Sequence, residues 1–225
     1  KLGITGKKDV EEFVRAADKI NVALGEDLGK DAITQIGKLV GLFKLKEQFG
    51  LEQSMLKVAS AMNTLGASSE ASEGYIVDFL KRMGGIAPMA NISIDQVMAL
   101  GATLDSLGQT SEVSSTALSK MFTKMASDAA TYARIAGVST EQFRKMMNDN
   151  ALSAFMLVLE AAGKTEGGLV QLTETLGDLG IEGGRATGLF GVLSKNLDVL
   201  SKQLDISKKS FEEGSSVIDE YNVKN

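Results

Sequence analysis

Apolar residues recur at helical spacing along nearly the whole chain. Val10, Phe13, Val14 and Ala17 stand at i, i+3, i+4 and i+7, which predicts an amphipathic helix. Leu28, Ala32, Ile36, Leu39, Val40 and Phe43 predict a second. Leu51, Met55, Val58, Met62 and Leu65 predict a third, with Gly50 as the break before it. Ile76, Phe79, Leu80, Met83 and Ala87 carry the next stripe, and Gly84, Gly85 and Pro88 place a kink or an end there. Ser93-Ile94-Asp95-Gln96 and Ser139-Thr140-Glu141-Gln142 have the form of capping boxes. The first opens a helix through Val97, Leu100, Leu104 and Leu107, the second a short one through Phe143, Met146 and Met147. Between them a long helix along Ala117, Leu118, Met121, Phe122, Met125 and Ala129 is expected to end at Gly137. Helices through Leu152, Phe155 and Leu159 and through Leu169, Leu172, Leu176 and Leu179 follow, with 163–168 as the loop between them.

The last segment has a different pattern. Phe190, Leu193, Leu197, Leu200 and Leu204 alternate spacings of three and four, the seam of a heptad repeat. A weaker seam continues through Ser207, Phe211, Gly214, Ile218 and Tyr221. One helix from Glu182 to Tyr221 would run on the order of 60 Å at about 1.5 Å per residue. It would project past a core, and association with copies of itself through Phe190, Leu193, Leu197, Leu200 and Leu204 would cover the seam. The expected fold class is therefore all-α: a multi-helix bundle of stacked hairpins with a long, coiled-coil-like C-terminal helix. Residues 1–181 form the helical core and 182–225 that helix.

One motif occurs twice. Leu65-Gly66-Ala67-Ser68-Ser69-Glu70-Ala71-Ser72 returns as Leu107-Gly108-Gln109-Thr110-Ser111-Glu112-Val113-Ser114. In each copy a leucine closes an apolar stripe, a glycine is suited to the left-handed conformation past a helix end, and hydroxyl residues are suited to cap the next helix. Repetition at this spacing is typical of stacked helical hairpins.

Composition narrows the chemistry. Of 225 residues, 44% are hydrophobic and 24% charged, a globular balance, and a single proline favours helix. There is no His, Cys or Trp. Metal sites built on His or Cys, serine or cysteine triads and thiol chemistry are thereby excluded from this chain, and any catalysis would run on carboxylates, Lys, Tyr or Ser. A net charge of −5 opposes nucleic-acid binding, which needs a basic face. No uncharged apolar run approaches the roughly 18–20 residues of a membrane span. The most apolar stretch, Ala151 to Leu159, has half that length. No signal peptide is visible, and a start at Lys1 suggests a piece of a longer protein.

The remaining constellations favour structure over chemistry. Glu11-Glu12, Glu212-Glu213 and Asp219-Glu220 are adjacent on helices and so point about 100° apart, which suits solvated faces better than a shared cleft. Glu52, beside Gln53 and Ser54, is weakly similar to the catalytic neighbourhood of lysozyme-like transglycosylases, without that group's other motifs. Gly180-Ile181-Glu182-Gly183-Gly184-Arg185 is a glycine-rich helix start with neither P-loop lysine nor dinucleotide spacing. Ten methionines fall mostly on helix stripes, where core packing is the first reading and an adaptable binding groove the second. No catalytic, cofactor-binding or metal-ligating residue is assigned, and no cofactor is expected.

From Leu65 to Ala126 the order L-G-x-S-S-E, helix, Ile92 to Gly108, then Ser111 to Lys120 resembles the core region of the phage tail tape-measure protein family. The segment MALGATLDSLGQTSEVSSTALSK is the most specific part, and the likeness runs from about Ile4 to Leu204. The resemblance implies a structural, non-enzymatic fragment of a phage or prophage tail, from a helical protein that sets tail length and templates the tube. It implies tail-tube, tail-tip and assembly-chaperone partners, residence in the virion tail, and assembly in the bacterial cytoplasm. The family core carries no catalytic motif onto these positions. Two other readings stay open: a helical-repeat adaptor, and a cell-wall hydrolase working through carboxylates.

Overall fold

The computed structural model describes residues 6–28, 31–165 and 183–224, together with 167, 168, 170, 172 and 174. Among these residues there are thirteen α-helices and no strand, so the helical periodicity of the sequence becomes an all-α bundle. In chain order they are α1 (Gly6–Leu24), α2 (Ala32–Leu42), α3 (Leu45–Phe49), α4 (Leu51–Ser68) and α5 (Glu73–Met83). Then come α6 (Ile94–Ser106), α7 (Ser111–Ser127), α8 (Ala129–Ala136), α9 (Thr140–Asp149) and α10 (Ala151–Lys164). The last three are α11 (Gly183–Lys195), α12 (Leu197–Glu213) and α13 (Ser216–Lys224). Short 3-10 turns lie at Gly25–Leu28 and Pro88–Ala90.

Helix α4 is the hub. Ten of its residues between Leu51 and Leu65 are buried, and α1, α2, α3, α5, α6, α12 and α13 pack around it. A helix apolar on all sides is stable only when covered on all sides. Helix α6 is enclosed in the same way from Val97 to Leu104, against α4, α5 and α12. Its Gly101 admits Phe79 of α5: a β-carbon there would meet the ring at 2.9 Å. A second group gathers on α10, which touches α8, α9 and α11. Edge-to-face contacts of Phe155 with Phe122 (5.6 Å) and Phe190 (5.7 Å) join α7, α10 and α11.

Local signals hold at most helix ends. Ser139 accepts from the Gln142 N–H at 3.2 Å while Gln142 accepts from the Ser139 N–H at 3.0 Å. The Gln96 side chain accepts likewise from Ser93 at 3.1 Å. The expected long helix ending at Gly137 is interrupted at Asp128, whose carboxylate accepts from the Thr131 N–H and starts α8 separately.

Three expectations are corrected. The apolar stripe of α1 does not face inward as read: Val10 and Val14 are 52% and 59% exposed, while Asp9, Ala16, Ile20 and Ala23 are buried. Asp9 tolerates this position because Lys46 of α3 meets it at 2.5 Å. Next, Gly66 does not end its helix. Helix α4 runs on to Ser68, and the hydrogen-sized side chain of Gly66 leaves room for Glu73 to lie across it. Of the two motif glycines only Gly108 takes the left-handed conformation, at φ +71° just past α6, whereas the hydroxyl cap forms in the first copy, where Ser72 accepts from the Tyr75 N–H, and Thr110 makes no such bond in the second.

The third correction concerns the C-terminal segment, which is three helices and not one. Asn196 breaks it by donating its amide to the Val192 carbonyl at 2.8 Å. Gly214 breaks it again at φ +65°, where Lys57 of α4 donates to the carbonyls of Phe211 (3.1 Å) and Glu212 (2.6 Å). Helix α12 then packs along α4 and α6, and its buried residues are Leu200, Gln203, Ser207 and Ser210. The buried face is therefore rotated from the expected seam, and Leu197, Leu204 and Phe211 lie at its margin. The expected helix through Leu169, Leu172, Leu176 and Leu179 lies outside the described residues except at Leu172, which is buried.

Because Leu200 is fully buried, Leu200→Ala should cost about 2–5 kcal/mol, the usual range for emptying such a site. Chemical denaturation measures this, and a change below about 0.5 kcal/mol would mean that α12 stands away from the core.

Candidate functional site

The carboxylate with the best claim to chemistry is tied down. Glu52, in the first turn of α4, receives Arg15 at 2.7 Å and Lys19 at 2.8 Å from α1. Burial pushes its pKa upward, but the hydrogen bonds and charges of Lys19 and Arg15 outweigh this and hold it below the ordinary glutamate value. A general acid needs the opposite shift. Glu12 of the adjacent acidic pair is no solvated residue either: it accepts from the Leu51 N–H at 3.0 Å, capping α4 where Gly50 offers no side chain. Glu220 accepts from Asn63 and Lys224 at 2.9 Å and 2.8 Å, so it links α13 to α4. Glu11, Glu212, Glu213 and Asp219 are exposed, as expected.

The other polar chemistry is structural too. Burial pushes the phenols of Tyr75 and Tyr132 up to about 12, so both stay protonated near neutral pH. Among the described residues no group of three or more Asp or Glu could hold a metal ion. No described helix is long and apolar enough to cross a membrane. Most of the glycine-rich turn 180–185 lies outside the described residues.

The repeated motif forms a reciprocal clasp. Ser72, closing the first copy, caps α5 and donates its N–H to Asp105 of α6 at 2.8 Å. Ser111, in the second copy, donates to Asp78 of α5, which also receives Arg82 at 2.8 Å. Burial raises the Asp78 pKa, and Ser111 with Arg82 brings it below the ordinary value. Each turn is thus held by a carboxylate beside the other turn.

The predicted association seam is largely covered within the chain, with Phe190, Leu193 and Leu200 buried and Leu197 and Leu204 partly so.

A groove of about 730 Å³ between α4, α12 and α13 is lined by charged and polar residues such as Asn63, Lys209, Glu213 and Glu220, and two more apolar grooves lie around the turn between α5 and α6. One, of about 460 Å³, is lined by Ile86, Met89, Phe122, Met125 and Met147 with Arg144 beside them. The other, of about 500 Å³, lies between Leu42, Phe43, Lys44, Pro88, Met89 and Ile92. Met89 lines both and is 81% exposed. Six of the ten methionines are buried core, as the first reading expects, whereas Met89 and Met147 belong to the second. Sequence alone did not single out this turn, although Gly84, Gly85 and Pro88 mark it as a break.

A depressed folded-state pKa stabilises the fold above the unfolded carboxylate range, near 4.3 for glutamate, and that stabilisation is lost as pH falls through the folded value. Glu52, Asp78 and Glu220 all contribute in this sense. Urea midpoints should hold between about pH 5 and 7 and drop below about pH 4. Glu52→Gln should lower stability at neutral pH by about 1–2 kcal/mol and flatten the acid limb. An unchanged acid limb in that variant would contradict this account.

The model of the phage-related minor tail protein family matches residues 1–180, so the match ends before α11. No curated protein and no solved structure matches the chain.

Proposed function

Because the chain belongs to the phage-related minor tail protein family, we propose that it is part of the core of a tape-measure protein, the helical component that sets tail length and templates the tube. The observation that carries this reading is the segment Met98 to Lys120. It has the strongest likeness to tape-measure cores, it lies inside the family match, and it forms the enclosed helix α6, the second motif turn and the start of α7. A scaffold role also suits a molecule in which Glu12, Glu52, Asp78 and Glu220 are committed to caps and ion pairs. The partners in this reading are tail-tube, tail-tip and assembly-chaperone proteins, met in the bacterial cytoplasm and kept in the virion tail. Joining copies through Phe190, Leu193, Leu197, Leu200 and Leu204 belongs to a form in which α11 and α12 have left the core.

In-frame deletions in the gene encoding this chain test the reading by electron microscopy of the tails. Tails should shorten in proportion to the residues removed, by about 1.5 Å each where the deleted segment is helical and extended. Tails of unchanged length would overturn it. The scaffold is non-enzymatic in this reading, so purified chain should leave a peptidoglycan suspension turbid. Clearing that is lost in Glu52→Gln would instead make Glu52 catalytic.

A further inference from the structure

The grooves meeting at Met89 have features that a mere packing fault would lack. Their walls are apolar, yet Met89 and Leu42 stand 81% and 54% exposed. Adjoining exposed apolar side chains of this kind mark interaction sites.

The turn that presents Met89 is held rigidly. Asn91 donates its amide to the Asn148 carbonyl at 2.7 Å. Asn150 returns a bond to the Asn91 carbonyl at 3.0 Å and another to Gln96 at 2.7 Å. The turn between α5 and α6 is thus fastened to the junction of α9 and α10, and the ridge is formed before anything binds. Preorganisation of this sort reduces the ordering cost of association.

Backbone strain falls at the same place. Among the described residues, Lys44 (φ +56°) and Asn91 (φ +52°) are the two non-glycine residues in the left-handed region, and both line the second groove. Such conformations persist where surrounding structure enforces them, and they concentrate at binding and switch sites.

Charge identifies the occupant. Arg144 is the one charged residue lining the first groove and Lys44 the one lining the second. Both are exposed, and among the described residues neither makes an ion pair and no acidic side chain lines either groove. An apolar ridge-and-groove surface with two unpaired cations complements a helix that carries apolar anchors on one face and carboxylates beside them. Methionines at 89 and 147 give the walls the adaptability to seat branched anchors. We propose that this surface docks an acidic amphipathic helix of a partner protein. Residues Ile86, Met89 and Met147 would hold its anchors, and Lys44 and Arg144 would pair with its carboxylates. This assignment stands on the surface itself and does not rest on the tape-measure reading.

The test is a display library of amphipathic helices of about four turns, with Leu or Met anchors and randomised flanking positions, selected on the whole chain. Selected sequences should carry an excess of Asp and Glu over Lys and Arg and bind the purified chain in the micromolar range. Binding should weaken about tenfold or more in Met89→Asp, and about tenfold in the Lys44→Glu, Arg144→Glu double variant, which should come to prefer basic helices. Met89 and both cations are exposed, so these variants should keep the parent's thermal unfolding, and circular dichroism checks that they do. The proposal is overturned by selected helices that are neutral or basic, by binding indifferent to Met89→Asp, or by no enrichment at all. A dimer of the chain alone that Met89→Asp dissociates would assign the surface to a second copy and overturn it equally.

Discussion

The complete enclosure of α4 is the constraint on which the rest of the structure depends. From Leu51 to Leu65 it offers almost no solvent-facing side, so seven neighbouring helices must each supply a complementary face. Three of its polar side chains reach outward to different elements. Glu52 holds α1, Lys57 takes the last carbonyls of α12, and Asn63 holds α13 through Ser216 and Glu220. Apolar burial sets how strongly α4 is wanted in the centre, whereas these polar contacts set which neighbour goes where. Burial has no direction of its own, while hydrogen bonds have geometry.

Most helices were legible because their apolar positions coincide with the face that ends up buried, as in α5 with Ile76, Phe79, Leu80 and Met83. The capping boxes at Ser93 and Ser139 were legible because their partners are three residues away. Legibility fails where the decisive partner is distant in sequence. Val10 and Val14 look like the inner face of α1, but Glu12, Arg15 and Lys19 are drawn to the start of α4, and that fixes the rotation of the helix. The register of α12 was misread for a related reason. Its seat between α4 and α6 is lined by Ser60 and the Asp95 carbonyl, which select Ser207 and Ser210 over the bulkier Leu204 and Phe211. Hydrophobic periodicity cannot register a buried serine.

The candidate surface was legible only in part. Methionine on helix stripes signals either core or groove, and the choice depends on which stripe is left uncovered. That depends on the turn from Gly84 to Ser93, which Asn148 and Asn150 hold from nearly sixty residues away. No local pattern announces such a contact. Polar fastening of an apolar ridge is also what separates a prepared surface from a loose loop, since unfastened apolar side chains would fold back upon the core.

The repeated motif gains its meaning from the same logic. Identical letters did not give identical geometry: Gly66 is helical under Glu73, while Gly108 is left-handed. What the copies share is their relation to one another, with Ser72 bound by Asp105 and Ser111 bound by Asp78. Each carboxylate sits on a helix that borders the opposite turn, so the two turns are tied to each other. That coupling joins α4 and α5 to α6 and α7 inside the family match, whereas α11 to α13 lie beyond it, and α12 adds bonds to backbone carbonyls and hydroxyls. The C-terminal helices join that core through both kinds of contact: Leu189, Phe190, Leu193, Leu200 and Val217 are buried in it, and Ser207 and Ser210 are bonded to the Asp95 and Ser60 carbonyls.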